Sequence, residues 1–114
     1  MKIRKLEPQP PPPVRAKLPK GYKGNIDLHN RPKYKNLDGS ISTVYSIGVN
    51  IDGQEILLPT IANKNGKAIK LTEQQAIDLY KTTGKNLGKF KTPQESNAMA
   101  ELIHKHQQKY YNLK

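Results

Sequence analysis

With 114 residues, 34% of them hydrophobic, no tryptophan and one phenylalanine, the chain has room for one domain with a thin core and little space for a deep substrate cavity. Its formal charge of +11 at pH 7 points to an anionic partner, and the lack of cysteine excludes a disulfide framework, a thiolate metal site and a cysteine nucleophile. No apolar run approaches the roughly 20 residues that span a bilayer, and the basic N-terminus runs into prolines instead of an apolar stretch, so the expectation is synthesis in the cytoplasm without a signal peptide and no membrane partner.

Residues 1–23 read as a basic, proline-rich arm. Six of the nine prolines fall in residues 8–19, and the unbroken run Pro10 to Pro13 has no backbone donors and a fixed φ, which favours a polyproline II rod with disordered flanks. Residues 1–24 carry seven cations against Glu7, so they supply +6 of the +11 and leave the remainder at an ordinary +5. Gly21 and Gly24 mark the boundary with a single domain over 24–114.

The domain opens on Ile26 and Leu28, apolar residues alternating with polar ones in an extended segment pinned to the core. Lys33 to Asn36 suit a short strand before the turn Leu37-Asp38-Gly39-Ser40. Ile41, Thr43, Tyr45, Ile47, Val49 and Ile51 then recur at period two, which predicts one continuous strand with a buried face. Asp52-Gly53 predicts a type I′ hairpin returning through Glu55 to Ile61, where Pro59 calls for an edge position or an outward-facing backbone site. Asn63 to Gly66 is a second turn, and Ala68 to Leu71 suit a short strand or an extended lead-in.

Two helices follow. Thr72 and Gln75 form a capping box for a helix over about 73–83 that stops at Gly84 and buries Ala76, Ile77, Leu79 and Tyr80. Leu87 and Phe90 in the connection are expected to dip into the core. Thr92, Pro93 and Glu95 start a second helix reaching Tyr110, with Ala98, Met99, Leu102, Ile103, His106 and Tyr110 as its apolar stripe. The fold class that results is α+β: a small antiparallel sheet of three or four strands packed by two C-terminal helices, behind the arm.

Candidate contacts lie mainly in the arm. Pro10, Pro11, Pro12, Pro13, Arg15 and Lys17 are the candidate partner-binding residues; Pro10 to Arg15 also matches the PxxPxR pattern of SH3-type ligands, a match that a run of prolines makes almost by default. Lys20, Lys23, Arg31, Lys33 and Lys35 are candidate anion contacts, and Tyr22, Tyr34 and Tyr45 stand among cations as stacking residues for nucleic acid would. Catalytic signals are sparse. Asp27 and His29 lack a third ligand and suit local turn hydrogen bonds, while His104 and His106 diverge by about 200° on a helix. No catalytic, cofactor or metal residue is assigned, and the chain reads as a binding protein, not an enzyme.

Three stretches together carry a resemblance: Gly24 to Leu28 with Asn30-Arg31-Pro32; Asp38 to Val44 with Ile56-Leu57-Leu58-Pro59-Thr60; and Tyr80 with Thr83 through Phe90. They resemble a small uncharacterised module of tailed-phage and prophage virion-associated proteins, found alone or within large proteins that can also carry peptidoglycan-cleaving domains. The resemblance spans residues 24–111 and brings no catalytic residues; Tyr45 stands where an arginine is usual and Asn86 where a histidine is frequent. It implies a place in the particle, in the tail, the neck or among the ejected internal proteins. The expectation is a noncatalytic virion component that binds neighbouring virion proteins through its arm and a sheet edge, with packaged DNA as a further candidate partner. The alternatives are a nonspecific nucleic-acid-binding accessory protein and an adaptor for a peptidoglycan hydrolase.

Overall fold

A computed structural model of the chain describes residues 17–113. Most of the proline-rich arm, with Pro10 to Pro13 and Arg15, lies outside the described residues. The element order is β1 (Tyr34–Lys35), β2 (Ile41–Ser42), β3 (Ser46–Ile51), β4 (Gln54–Pro59), β5 (Ile61–Lys64), β6 (Lys67–Lys70), α1 (Glu73–Thr83), β7 (Gly88–Phe90) and α2 (Pro93–Tyr110). The class is α+β, with every strand pair antiparallel and two helices, as the sequence predicts. The strands are shared among three small sheets: β1–β2, β3–β4–β7 and β5–β6.

The three-stranded sheet is the centre of the molecule. Asp52 and Gly53 both take positive φ, 51° and 83°, so a two-residue turn joins β3 to β4 with Ile51 opposite Gln54. That closing pair exchanges backbone bonds, and the pattern alternates along the ladder. Val49 with Ile56 and Ile47 with Leu58 are therefore bonded pairs, whereas Asn50 with Glu55, Gly48 with Leu57 and Ser46 with Pro59 turn their N–H and C=O groups outward. The carbonyl of Leu57 indeed faces β7, accepting from the Leu87 amide at 2.8 Å.

This parity places Pro59. The strand that holds it is central, not an edge, but β7 reaches only as far as Leu57. The missing amide of Pro59 points past the end of β7, where no ladder bond is lost.

Side chains alternate between two cores. Val49, Ile56 and Leu58 pack with Ala76 of α1, joined by Ile47, Ile51, Ile77 and Tyr80; on the opposite face Leu57 and Phe90 pack with Ile26, Leu28, Val44, Leu87, Met99 and Ile103. The sheet is thus sandwiched between α1 and α2. Leu28, Leu57 and Leu87 are almost wholly enclosed, each contributing about 1.5–3 kcal/mol by burial. Tyr22 packs on the second core and its hydroxyl donates to the Ile26 carbonyl at 2.7 Å, so folded contacts begin ahead of Gly24.

Two expectations are corrected. The period-two run over 41–51 is not one strand: Thr43 and Val44 are both buried, and Tyr45 turns out at φ 42°. The Val44 carbonyl accepts the Thr60 and Ile61 amides, at 2.9 and 3.3 Å, which diverts the chain between β2 and β3. The inward face of α2 is also rotated from the apolar stripe. Ser96, Met99, Ile103, His106 and Gln107 are buried, while Leu102 is exposed, as is Leu79 on α1. Both helix starts match: Thr72 and Gln75 cap each other, and the Thr92 hydroxyl accepts from the Glu95 amide. The Glu95 carboxylate reaches one residue further back than a capping box requires, accepting from the Lys91 amide at 3.2 Å.

Candidate interaction surface

Polar residues distant in sequence are tied together by the fold. Asn25 Oδ1 accepts the Asn86 amide at 2.8 Å, and the Asn25 and Asn86 side chains both donate to the Gly84 carbonyl. Arg31 Nε and Nη2 donate to the carbonyls of Thr43 (3.0 Å) and Ile61 (2.6 Å), tying the first stretch to the second. Burial pushes the Arg31 guanidinium below its ordinary pKa, and its carbonyl partners make it a brace within the fold. Of the predicted anion contacts it is the one drawn inward. Asn86 is buried and also serves the fold.

A second network lies under the C-terminal end of α2. The Thr43 hydroxyl donates to Gln107 Oε1 at 2.6 Å, and Gln107 Nε2 reaches both the Leu28 carbonyl (2.7 Å) and His106 Nδ1 (3.0 Å). His106 Nε2 stands 3.3 Å from His29 Nε2, and Tyr110 packs against both rings. Asp27 Oδ1 accepts the His29 amide at 2.9 Å, the local turn bond expected from the sequence. The His29–His106 pair joins residues 77 apart, and nothing in the local pattern signals it. Among the described residues no group of three or more histidines, cysteines or acids is placed to hold a metal.

Charge on the described surface is unevenly used. The acids serve the fold locally: Asp38 holds the amide and hydroxyl of Ser40, which pulls its carboxyl below the ordinary range; Asp78 takes Gln74, and Glu95 the start of α2. Lys105 with Glu101, at 3.6 Å and with both side chains largely exposed, is the ion pair found among the described residues. The other lysines meet aromatic faces or solvent. Lys70 Nζ lies 4.0 Å from the centre of the Tyr45 ring, Lys23 4.9 Å from Phe90, Lys33 5.2 Å from Tyr111 and Lys89 5.9 Å from Tyr80. Lys17, Lys20 and Lys35 are exposed, and Lys23 also donates to the Lys89 carbonyl at 3.4 Å.

Among the described residues the sheet has two unpaired edges of different character. On β7, three residues long, Lys89 turns its polar groups outward and Lys23 covers its carbonyl. On β3 the outward groups are those of Ser46, Gly48 and Asn50, in a six-residue strand with no charge and no proline. None of the three makes a backbone hydrogen bond to the described residues beyond the β4 ladder. Beside the start of β3 runs a groove of about 490 Å³ lined by Tyr45, Ser46, Ala100, His104 and Gln108.

Two further points bear on what the surface meets. Among the described residues no helix is long and apolar enough to cross a membrane. The chain matches no protein-family model, and comparison with curated proteins and with solved structures returns no similar chain.

Proposed function

We propose that this chain is a noncatalytic component of a tailed-phage particle, made in the bacterial cytoplasm and held by neighbouring virion proteins. The observation that carries the binding role is the edge of β3, whose outward amides and carbonyls, unpaired among the described residues, offer a strand-addition site on a helix-backed sheet. Assignment to a phage particle is supported by the resemblance over residues 24–111. The arm, through Pro10 to Pro13, Arg15 and Lys17, is a second attachment, since consecutive prolines, with φ fixed by their rings, have little backbone entropy to lose on docking.

A nucleic-acid-binding role is the second reading. Its support is the set of lysines that meet no acid among the described residues, above all Lys70 against the exposed ring of Tyr45. Quantitative mass spectrometry of gradient-purified particles, before and after DNA release, separates the two. A fixed copy number that survives DNA loss is the result expected; absence, or loss with the DNA, overturns the structural role.

A further inference from the structure

We propose that the partner at β3 is a second copy of this chain, paired antiparallel, β3 to β3, about a two-fold axis at Gly48. The inference rests on β3 being a binding edge and names what occupies it. With Gly48 on the axis, Ser46 falls opposite the second copy's Asn50 and Gly48 opposite itself. These are the residues whose N–H and C=O groups point outward, so every outward group in the strand meets a complement in the pattern of an antiparallel ladder. The contact is isologous, and it closes with two copies.

Three features favour this occupant. First, β3 lacks the devices that keep sheet edges apart. Its sequence, Ser-Ile-Gly-Val-Asn-Ile, has neither charge nor proline, whereas β7 is short and covered by Lys23, and the β5–β6 hairpin carries Lys64, Lys67 and Lys70. Second, the ends of the strand are complementary in charge. An antiparallel copy brings Asp52, just past the end of β3, beside Tyr45 of its mate, where Lys70 lies over the ring. The symmetry makes that match twice. Third, Tyr45 is a large ring, 56% exposed, on a backbone at φ 42° that bulky residues rarely adopt. The carbonyls of Val44 and Tyr45 are bound to Thr60 and Ile61, so the fold forces this backbone while leaving the ring more than half exposed beneath Lys70. The second copy's hairpin covers it. Gly48, side-chain-free on the face packed by α2, leaves the crossing point open.

Sedimentation equilibrium of the full chain, from micromolar to millimolar, tests the pairing. Asn50→Pro removes an outward amide that no β3–β4 bond uses, and Asn50→Ala removes the same side chain while keeping that amide. The expectation is a dimer for the native chain and for Asn50→Ala, and for Asn50→Pro a dissociation constant at least about tenfold higher, as loss of a net hydrogen bond and its mate implies, with unchanged far-ultraviolet circular dichroism. Asp52→Asn keeps the turn and weakens the dimer, most visibly at low salt. A native chain that stays monomeric at millimolar concentration, or an Asn50→Pro dimer as tight as the native one, overturns the proposal. If the monomeric chain still loses its place in particles through Asn50→Pro, self-pairing falls while β3 stands as a binding edge for another protein.

Discussion

The side-chain nitrogen of Gln107 lies 2.7 Å from the carbonyl oxygen of Leu28, so an amide near the end of α2 satisfies backbone from a segment 79 residues earlier. The contact fixes the orientation of that amide, because its oxygen already accepts from Thr43 at 2.6 Å. The second Nε2 hydrogen then points at His106 Nδ1, which must accept, leaving the hydrogen of His106 on Nε2 toward His29. Nitrogen chemical shifts should report the Nε2–H form of His106. Gln107→Leu should cost about 3 kcal/mol in thermal or urea unfolding, since it leaves the buried Leu28 carbonyl and Thr43 hydroxyl without this partner.

Arg31 should not accept replacement by lysine. Its planar fork serves the carbonyls of Thr43 and Ile61 together, and an ammonium cannot reproduce both directions. Arg31→Lys is expected to lower stability by about 2 kcal/mol and to leave affinity for polyanions nearly unchanged. A large loss of polyanion affinity in a variant of native stability would return Arg31 to the anion-binding set.

Tyr22 sets an alkaline limit. Burial pushes its phenol above the ordinary value of 10.0, and the hydrogen that it donates to the Ile26 carbonyl is one a tyrosinate could not give. The folded state therefore holds the proton more tightly than the unfolded one. That contribution to stability is complete below the ordinary value and is lost as pH rises through the folded pKa. Tyr22→Phe should cost about 1 kcal/mol near neutrality through the lost hydrogen bond, and should flatten the fall in stability above pH 10, where tyrosinate would otherwise favour unfolding. A parallel fall in both proteins would contradict this.

Ser96 sits beneath Gly48, 1% exposed, with a hydroxyl that finds no partner among the described residues. Ser96→Ala should raise stability by about 1 kcal/mol, the cost of enclosing an unbonded hydroxyl. A Cβ added at Gly48 would stand 3.1 Å from that hydroxyl, so Gly48→Ala should destabilise the native background more than the Ser96→Ala background. Additive effects would mean that the two positions do not press on each other.

What the sequence made legible was local. Both helices begin at the threonines that cap them, because a cap and its partner are three residues apart. The Asp52-Gly53 turn and the inward Leu87 and Phe90 were legible for the same reason. Three features were not. Period-two patterning ran through Tyr45 because alternation of residue types does not record that the Val44 carbonyl is taken by Thr60 and Ile61. The face of α2 was misjudged because Gln107 and Ser96 are polar yet buried, Gln107 through partners distant in sequence. Arg31 looked like a surface cation because nothing near it announces the carbonyls it braces. Pro59 was read as marking an edge or an outward-facing backbone site, and the second is what the fold has: β4 is central, and β7 stops at Leu57, short of the missing amide.

Residue-resolved amide exchange along β3 tests the account most directly, measured on the dilute chain and again on the chain bound to its mate or to particle proteins. Ser46, Gly48 and Asn50 should exchange quickly in the dilute chain while Ile47, Val49 and Ile51 are protected, and binding should slow the first three selectively. Uniform protection along β3 in the dilute chain, or no change at those amides on binding, would contradict the claim that this edge is where the protein meets its neighbours.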